Sequence, residues 1–548
     1  MKHFLVIAVI FYNILIYSQN ITGIVRDSVS NKPISGVKVK VKNLTNGLED
    51  SVLTNSNGQW VFNLSTSVDQ NDVIAKDFYL FQNFPNPFSS EGTNNSGSGV
   101  STKINFVIGN DDIVEIYIHN ALGELIDYKK EFLSSGIYSV EYQAKGSAGV
   151  YFYTIRTSQF SETKKMIQLG KASSPGGINK IYKIGNNNHF AKSNSSTLYR
   201  IIYSKITHID DTVQVELSGG ESLLKFLKSF HHHTKLIDLH NDILERIVAD
   251  TNYRLKNRNT NNHTDIPRMK EGGVDIQFFS VWVSPTTYTN HYQQALYMLS
   301  LFNREMNENQ NSIAHTRNWN QSDSVSNQNK IAAIIGVEGG HHIEDSIEKL
   351  IALYNAGMRY LTITWNNSTS WAVSAADSRS TTVGLSNFGR EVIRKLDSLG
   401  VIIDVSHTGI KTIQDILQVT NNPIIASHSG VRALRNHTRN LYDWQIQDIA
   451  NSGGVIGVVF YPPFLNGTNN ATIQDVINHI DYIKNLVGID YVAIGSDFDG
   501  IGVTPVGLED VSKFPALTEA LFNRGYSRED VEKILYKNFK RVFQQVCK

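Results

Sequence analysis

Three histidines and three acids stand in a pattern that suits metal-assisted hydrolysis. Each follows a short apolar run. Lys235–Leu239 leads into His240 and Asp242, Ile331–Val337 into Glu338, Val401–Val405 into His407, Pro423–Ala426 into His428, and Tyr491–Gly495 into Asp497, with Asp499 a further acid two residues on. Imidazole nitrogens and carboxylate oxygens are ligands for a borderline divalent ion, with zinc the leading candidate. His240 and Asp242 are two residues apart, so on extended chain they face one side and reach one ion. Two ions a few ångströms apart need a shared carboxylate, and Glu338 is placed to bridge them. Such a pair lowers the pKa of a trapped water, supplies hydroxide at neutral pH and polarises a scissile carbonyl. An acid must then protonate the leaving amine, and Asp497 is the candidate for that role. Each residue also has a plainer reading: a histidine bonded to its own loop, Glu338 capping a helix, Asp497 binding turn amides. Five of eight predicted strands end this way, which one shared site explains better than a set of independent accidents.

The elements that must position these residues alternate. Further strand-like runs lie at Asp275–Val283, Tyr360–Thr364 and Val455–Phe460, and helical patterns at Tyr292–Met306, Ile343–Ala356 and Phe388–Leu399. Continuous apolar strands separated by helices predict a parallel sheet buried on both faces. Eight such units over residues 231–548 predict a closed (β/α)₈ TIM-like barrel, whose active site lies at the C-terminal ends of the strands. An open doubly wound sheet is the alternative.

The chain of 548 residues is long enough for about three domains. Its 51 basic and 51 acidic residues cancel, so nothing in the charge points to nucleic acid or an acidic membrane as partner. The only cysteine is Cys547, which leaves no internal disulfide and no cysteine-based zinc site. Lys2 and His3 precede an apolar run from Phe4 to Tyr17, read as a signal peptide over residues 1–18. That run is too short for a comfortable membrane span, which needs about 20 residues, and no later segment reads as one. The chain is therefore expected to be exported, to the periplasm, the cell surface or the medium. Residues 20–77 alternate, as in Gly36-Val37-Lys38-Val39-Lys40-Val41-Lys42, and carry turn signals such as Asn55-Ser56-Asn57-Gly58, which predicts a small antiparallel sandwich. A second β segment runs over 78–170, and residues 171–230, rich in Ser, Asn and Gly, read as a linker or sandwich remnant. His231-His232-His233 reads as the polar end of that linker, and His341 and His342 as supporting or loop residues.

Several stretches carry family resemblances. "TGIVRDSVSNKPISGVKVKV" with "TNSNGQWVF" resembles the carboxypeptidase regulatory-like β-sandwich. "FQNFPNPF", "VEIYIHNALGELI" and "AGVYFYTIRTSQFSETKKMIQL" resemble the sorting domains of type IX secretion, although here the match is internal; an immunoglobulin-like spacer is the other reading. From Leu236 onward, "IDLHNDILERI", "HTDIPRMKEGGVDIQFFSVWV", "GVEGGHHIED", "GMRYLTITWNN", "GVIIDVSHTG", "PIIASHSGVRAL" and "VAIGSDFDGI" together resemble the renal (membrane) dipeptidase family of metallopeptidases. The resemblance implies a binuclear zinc barrel of amidohydrolase type. In it His240 and Asp242 match the ligands of one zinc, Glu338 the bridge, His407 and His428 the ligands of the other, and Asp497 the acid/base beside the first. Arg439, in "NHTRNL", falls where the family places an arginine that holds the substrate carboxylate, a role suited to a guanidinium fork. Trp365 stands where mammalian members have a substrate-contacting histidine. An indole N–H donates a hydrogen bond but carries no charge, so this difference bears on substrate range more than on hydrolysis. Tyr461 either lines the pocket or packs in the core.

The expectation is an exported zinc dipeptidase with two ions per chain, acting on dipeptides, with a homodimer among the assemblies left open. Two rival readings are an amidohydrolase acting on N-acyl amino acids or other small amides, and a surface-binding β-module with an inactive barrel.

Overall fold

The computed structural model describes residues 20–45, 47–63, 78–81, 83, 88–89, 101–169, 176–186, 197–217 and 222–548. The segment read as a signal peptide lies outside them. The chain divides into two compact units, residues 1–229 and 230–548.

Among the described residues the first unit is all β. Its alternating sequence works as period two requires: along Lys38–Asn43 the valines point inward and the lysines outward. One sandwich pairs a three-stranded sheet (Ser222–Leu227, Asn20–Asp27, Gln59–Asn63) with a four-stranded one (His208–Leu217, Thr197–Lys205, Lys38–Asn43, Glu49–Leu53). Val25, Val39, Val41, Trp60, Ile201 and Tyr203 fill the space between them. Among the described residues, the other sandwich uses nine strands between Phe78 and Asn186 around Phe106, Ile116, Val140, Tyr142 and Tyr153. Residues 171–230, read above as a linker or remnant, therefore contain structural strands. Gly177–Asn186 pairs with Gly136–Gln143 of the second sandwich, and Ser222–Leu227 runs parallel to Asn20–Asp27 of the first. The first sandwich is thus interrupted after Asn63 and resumed at Thr197. The ranges 20–77 and 78–170 divide it differently because reading in chain order cannot register a strand paired with another far behind it.

The second unit contains the eight expected strands: β1 Ile237–Asp238, β2 Ile276–Val281, β3 Ile331–Glu338, β4 Met358–Thr362, β5 Ile402–Asp404, β6 Ile424–Ser429, β7 Val455–Val458 and β8 Val492–Ile494. They form one parallel sheet in chain order, with Ile313–His315 added beside β3. Residues just beyond β1 and β8 close the ring. Leu239 N donates to Ile494 O (3.0 Å), Asp497 N to His240 O (3.1 Å) and Asp242 N to Phe498 O (2.9 Å). Every residue of β2, β3 and β4 is buried, as the apolar runs require of strands covered on both faces. At the N-terminal end, Phe278, Ile334, Tyr360 and Ile402 pack with Phe539, Val542, Phe543 and Val546 of the last helix, Asn538–Val546. That apolar plug leaves the opposite rim, where the polar residues gather, as the chemical end of the barrel.

His231 departs from its sequence reading. It is 2% exposed, and its Nε2–H donates to Gly272 O (2.7 Å) while Nδ1 accepts from the Thr518 hydroxyl (2.7 Å). Burial pushes its pKa down to about 3 from an ordinary 6.5. The folded unit therefore holds a neutral ring, whereas the unfolded chain takes up a proton below about 6.5. Stability that is complete above that pH is lost as pH falls toward 3, by about 1.4 kcal/mol per pH unit for this group. Denaturant titrations between pH 7 and pH 4 should show that fall, and His231→Gln, which keeps a donor for Gly272, should flatten it; identical slopes in both proteins would contradict the assignment.

Candidate metal centre

The rim brings all six predicted side chains together. Ligand atoms of His240, Asp242 and Glu338, of Glu338, His407 and His428, and of His240, His428 and Asp497 form three overlapping groups, each within 4.8 Å. Glu338, the last residue of β3, sits between the histidines. Its Oε1 lies 2.9 Å from His407 Nε2 and 3.5 Å from His428 Nε2, and its Oε2 lies 3.6 Å from His240 Nε2. His240 Nε2 also lies 3.2 Å from Asp242 Oδ2, and the Nε2 atoms of His407 and His428 face each other at 3.1 Å.

Each ligand is oriented from behind. His240 Nδ1 meets the Tyr360 hydroxyl at 2.8 Å, and that ring needs Gly336 beneath it, where a Cβ would come within 2.1 Å of Tyr360 Cζ. His407 Nδ1 donates to Asn366 Oδ1 (2.9 Å), which leaves the Nε2 lone pair facing the centre. His428 Nδ1 contacts Ser427 Oγ (2.9 Å), whose hydroxyl donates to Asp404 Oδ2 (2.6 Å). Asp404 also accepts from Ser406 N, Ser427 N and the Thr362 hydroxyl, tying β4, β5 and β6 together. Asp238 does the same across the closure, accepting from Ser496 N (2.8 Å), the Ser496 hydroxyl (2.7 Å) and Gln277 Nε2 (2.9 Å). His407 and Asp497 have positive φ, 63° and 64°, a conformation non-glycine residues adopt at a cost of about 1–2 kcal/mol. Gly500 is equally constrained, since a Cβ there would meet Asp242 Oδ2 at 2.2 Å.

The electrostatics show a site with surplus buried negative charge. Burial pushes Asp497 well above the ordinary carboxyl range, with Asp242 and Glu338 adding to it against the pull of His240 and Arg439. Glu245, three residues after Asp242, is pushed up to about 9 by burial and by the same carboxylates. Burial also opposes ionisation of Glu338, yet His240, His407 and His428 outweigh it and hold its carboxyl well below the usual range. Burial keeps His407 and His428 neutral, with Arg439 and His240 respectively adding to the effect. Burial disfavours a proton on His240 too, but Tyr360, Asp242 and Glu338 outweigh it and raise its pKa well above the ordinary value. His240 Nε2 and Asp242 Oδ1 are buried without a hydrogen-bond partner. Buried carboxylates, neutral imidazoles and orphaned ligand atoms are what a divalent cation would satisfy, with release of the His240 proton on binding. The donor set therefore fits zinc.

Arg439 is buried, donates to His428 O (3.2 Å) and leaves its Nε without a partner. It lies in the field of Asp497 and Glu338. Trp365 is half-buried, with its ring 6.1 Å from His407 and 4.9 Å from Trp282. Tyr461 packs edge-on against Phe464 (4.8 Å), whose ring also carries the Arg439 guanidinium. It thus stands one ring away from the cluster. Asp499 turns to the His263 loop, accepting from His263 N (2.9 Å). His341 donates to Val283 O and His342 accepts from Val283 N, fastening the ends of β2 and β3. Sequence reasoning passed over Glu245, Tyr360, Asn366, Asp404 and Asp238. Spacing offered a signal for Glu245, one helical turn past Asp242, and for Asp238 and Asp404, two and three residues before a ligand histidine.

Comparison with known proteins bears on the same unit. The family model for membrane dipeptidase (peptidase family M19) matches residues 224–548. Dipeptidase 3 of Mus musculus is 32% identical over 335 residues, which is 60% of this chain and 66% of that protein, so the match spans just under two thirds of the relative. A metallopeptidase from Rhodobacter sphaeroides, solved with a phosphinate mimic of the dipeptide L-Ala-D-Ala, superposes with a TM-score of 0.54 at 26% identity, covering 57% of this chain and 99% of that one. A family M19 metallopeptidase, dipeptidase AC, superposes with a TM-score of 0.55 at 26% identity and the same coverage. Barrel, rim and family match coincide on one stretch, and the chain belongs to the membrane dipeptidase family of metallopeptidases, peptidase family M19.

Proposed function

We propose that the chain is an exported dipeptidase that uses two zinc ions. The observation that carries this reading is the set of three overlapping ligand groups that share Glu338, His240 and His428. His240 and Asp242 would hold one ion, His407 and His428 the other, with Glu338 between them. Bound zinc supplies Lewis acidity, lowering the pKa of water and polarising a carbonyl.

The remaining work falls to side chains. Asp497, with a carboxylate oxygen within 4.8 Å of ligand atoms of His240 and His428, carries the proton that the leaving amine needs. Arg439, buried and short of acceptors, binds the free carboxylate of the dipeptide. Trp365 forms an apolar wall beside His407. Glu245, a carboxyl near Asp242 and Glu338, would accept a hydrogen bond from a free ammonium, whose charge would offset the repulsion that holds it neutral, which favours a dipeptide over an N-acylated substrate. The N-terminal sandwiches act as modules of an exported protein, in keeping with the resemblances of residues 20–77 and 78–170.

Exhaustive chelation should abolish dipeptide hydrolysis and zinc should restore it, with two ions per chain by elemental analysis; full activity in metal-free protein would sink the proposal. Asp497→Asn should keep its zinc and lose about 10²–10⁴-fold in kcat. Arg439→Lys should instead raise KM, by about tenfold or more, because the bidentate pair is lost. Faster turnover of N-acetyl-Ala-Ala than of Ala-Ala would favour the amidohydrolase reading.

A further inference from the structure

The turn after β8, residues 496–500, carries Asp497 and is strained at two points. Asp497 has φ 64° and Asp499 has φ 68°, left-handed values that cost a residue with a side chain about 1–2 kcal/mol each. Such a turn must be held from outside. On one flank the residues beyond β1 hold it: Asp497 N donates to His240 O and Asp242 N to Phe498 O. On the other flank His263 holds it, from the loop between the helices Ile243–Ala249 and Ile266–Glu271. Asp499 N donates to His263 Nδ1 (2.9 Å), and His263 N donates back to Asp499 Oδ1 (2.9 Å). This clip is itself anchored. Val511 N donates to His263 O (3.2 Å), and Asn241 Nδ2, between His240 and Asp242, donates to the Thr264 hydroxyl (2.8 Å). The His263 ring also packs beside Phe498, with centroids 5.5 Å apart.

Only a neutral imidazole can close the clip, since a protonated Nδ1 has no lone pair for the Asp499 N–H. Burial, reinforced by Arg246 and Arg268, pushes the His263 pKa down to about 4 and keeps that lone pair available. We propose that His263 is a positioning residue for Asp497. By clamping the turn two residues downstream, it fixes the left-handed backbone that aims the Asp497 carboxyl at the leaving amine. This inference rests on the dipeptidase reading above, in which Asp497 carries the proton to that amine. A reacting group displaced by about 1 Å loses roughly 10²-fold in rate, whereas substrate binding through Arg439 is left intact. The effect of the clip therefore belongs to kcat and passes through Asp497.

The test compares two variants of similar size: His263→Asn, whose Oδ1 replaces Nδ1 as acceptor, and His263→Leu, which has no acceptor. In the zinc-loaded full chain with Ala-Ala as substrate, His263→Leu should lose about 10- to 100-fold in kcat, hold KM within about twofold and keep its zinc. His263→Asn should restore kcat to within about threefold of the natural chain. A double-mutant cycle adds a readout that a purely structural role leaves unmoved: with Asp497→Asn already in place, His263→Leu should cost less than about twofold further. Natural kcat or lost zinc in His263→Leu, equal losses in the Asn and Leu variants, an undiminished loss in the Asp497→Asn background, or a His263→Leu chain that does not fold would each overturn the inference and leave the dipeptidase reading standing. A natural chain that does not hydrolyse Ala-Ala overturns both.

Discussion

Carboxylates that repel one another are gathered in a pocket with little water, and the C-terminal unit is organised around that constraint. Asp242, Glu338 and Asp497 converge from three different strands, with Glu245 close behind. Their mutual repulsion is strong because burial removes solvent screening. A protonated His240 and the Arg439 guanidinium offset part of it, yet Asp497 and Glu245 are still driven toward their neutral forms. A chain that merely needed a stable barrel would have no physical reason to bury such a group. Divalent cations remove the repulsion and use the same oxygens and nitrogens as ligands.

Holding that arrangement shapes the surrounding architecture. The apolar plug of the last helix fills one end of the barrel, so the polar end is free for chemistry. Two buried aspartates, Asp238 and Asp404, serve as hubs that fix β8 to β1 and β6 to β5, just beneath the ligands those strands carry. Backbone strain is placed at His407 and Asp497, where a left-handed turn aims a side chain inward that a regular strand would point elsewhere. Rigidity at the base and strain at the rim are two parts of one positioning device.

Much of this was legible from residue order alone. The eight strands were visible because parallel strands buried on both faces must be continuously apolar, and the six metal-site candidates because each ends such a run. Asn366, Tyr360 and the aspartate hubs were not visible as partners, since their roles depend on contacts between strands that the sequence separates widely. His231 was misread because a histidine beside a polar linker and one sealed between Gly272 and Thr518 look alike without tertiary context. The interrupted first sandwich was missed for a similar reason. Its closing strand, Ser222–Leu227, pairs with the opening one, Asn20–Asp27, across an entire inserted domain. Alternation reveals that a strand exists but not which strand it joins.

The central claim is that Glu338 lies between two cations held by the histidines and acids around it. Anomalous diffraction at the zinc absorption edge from crystals of the zinc-loaded protein tests it most directly. The account predicts two anomalous peaks flanking Glu338, one beside His240 and Asp242 and the other beside His407 and His428. Zinc-loaded crystals with no peak among these residues would contradict it.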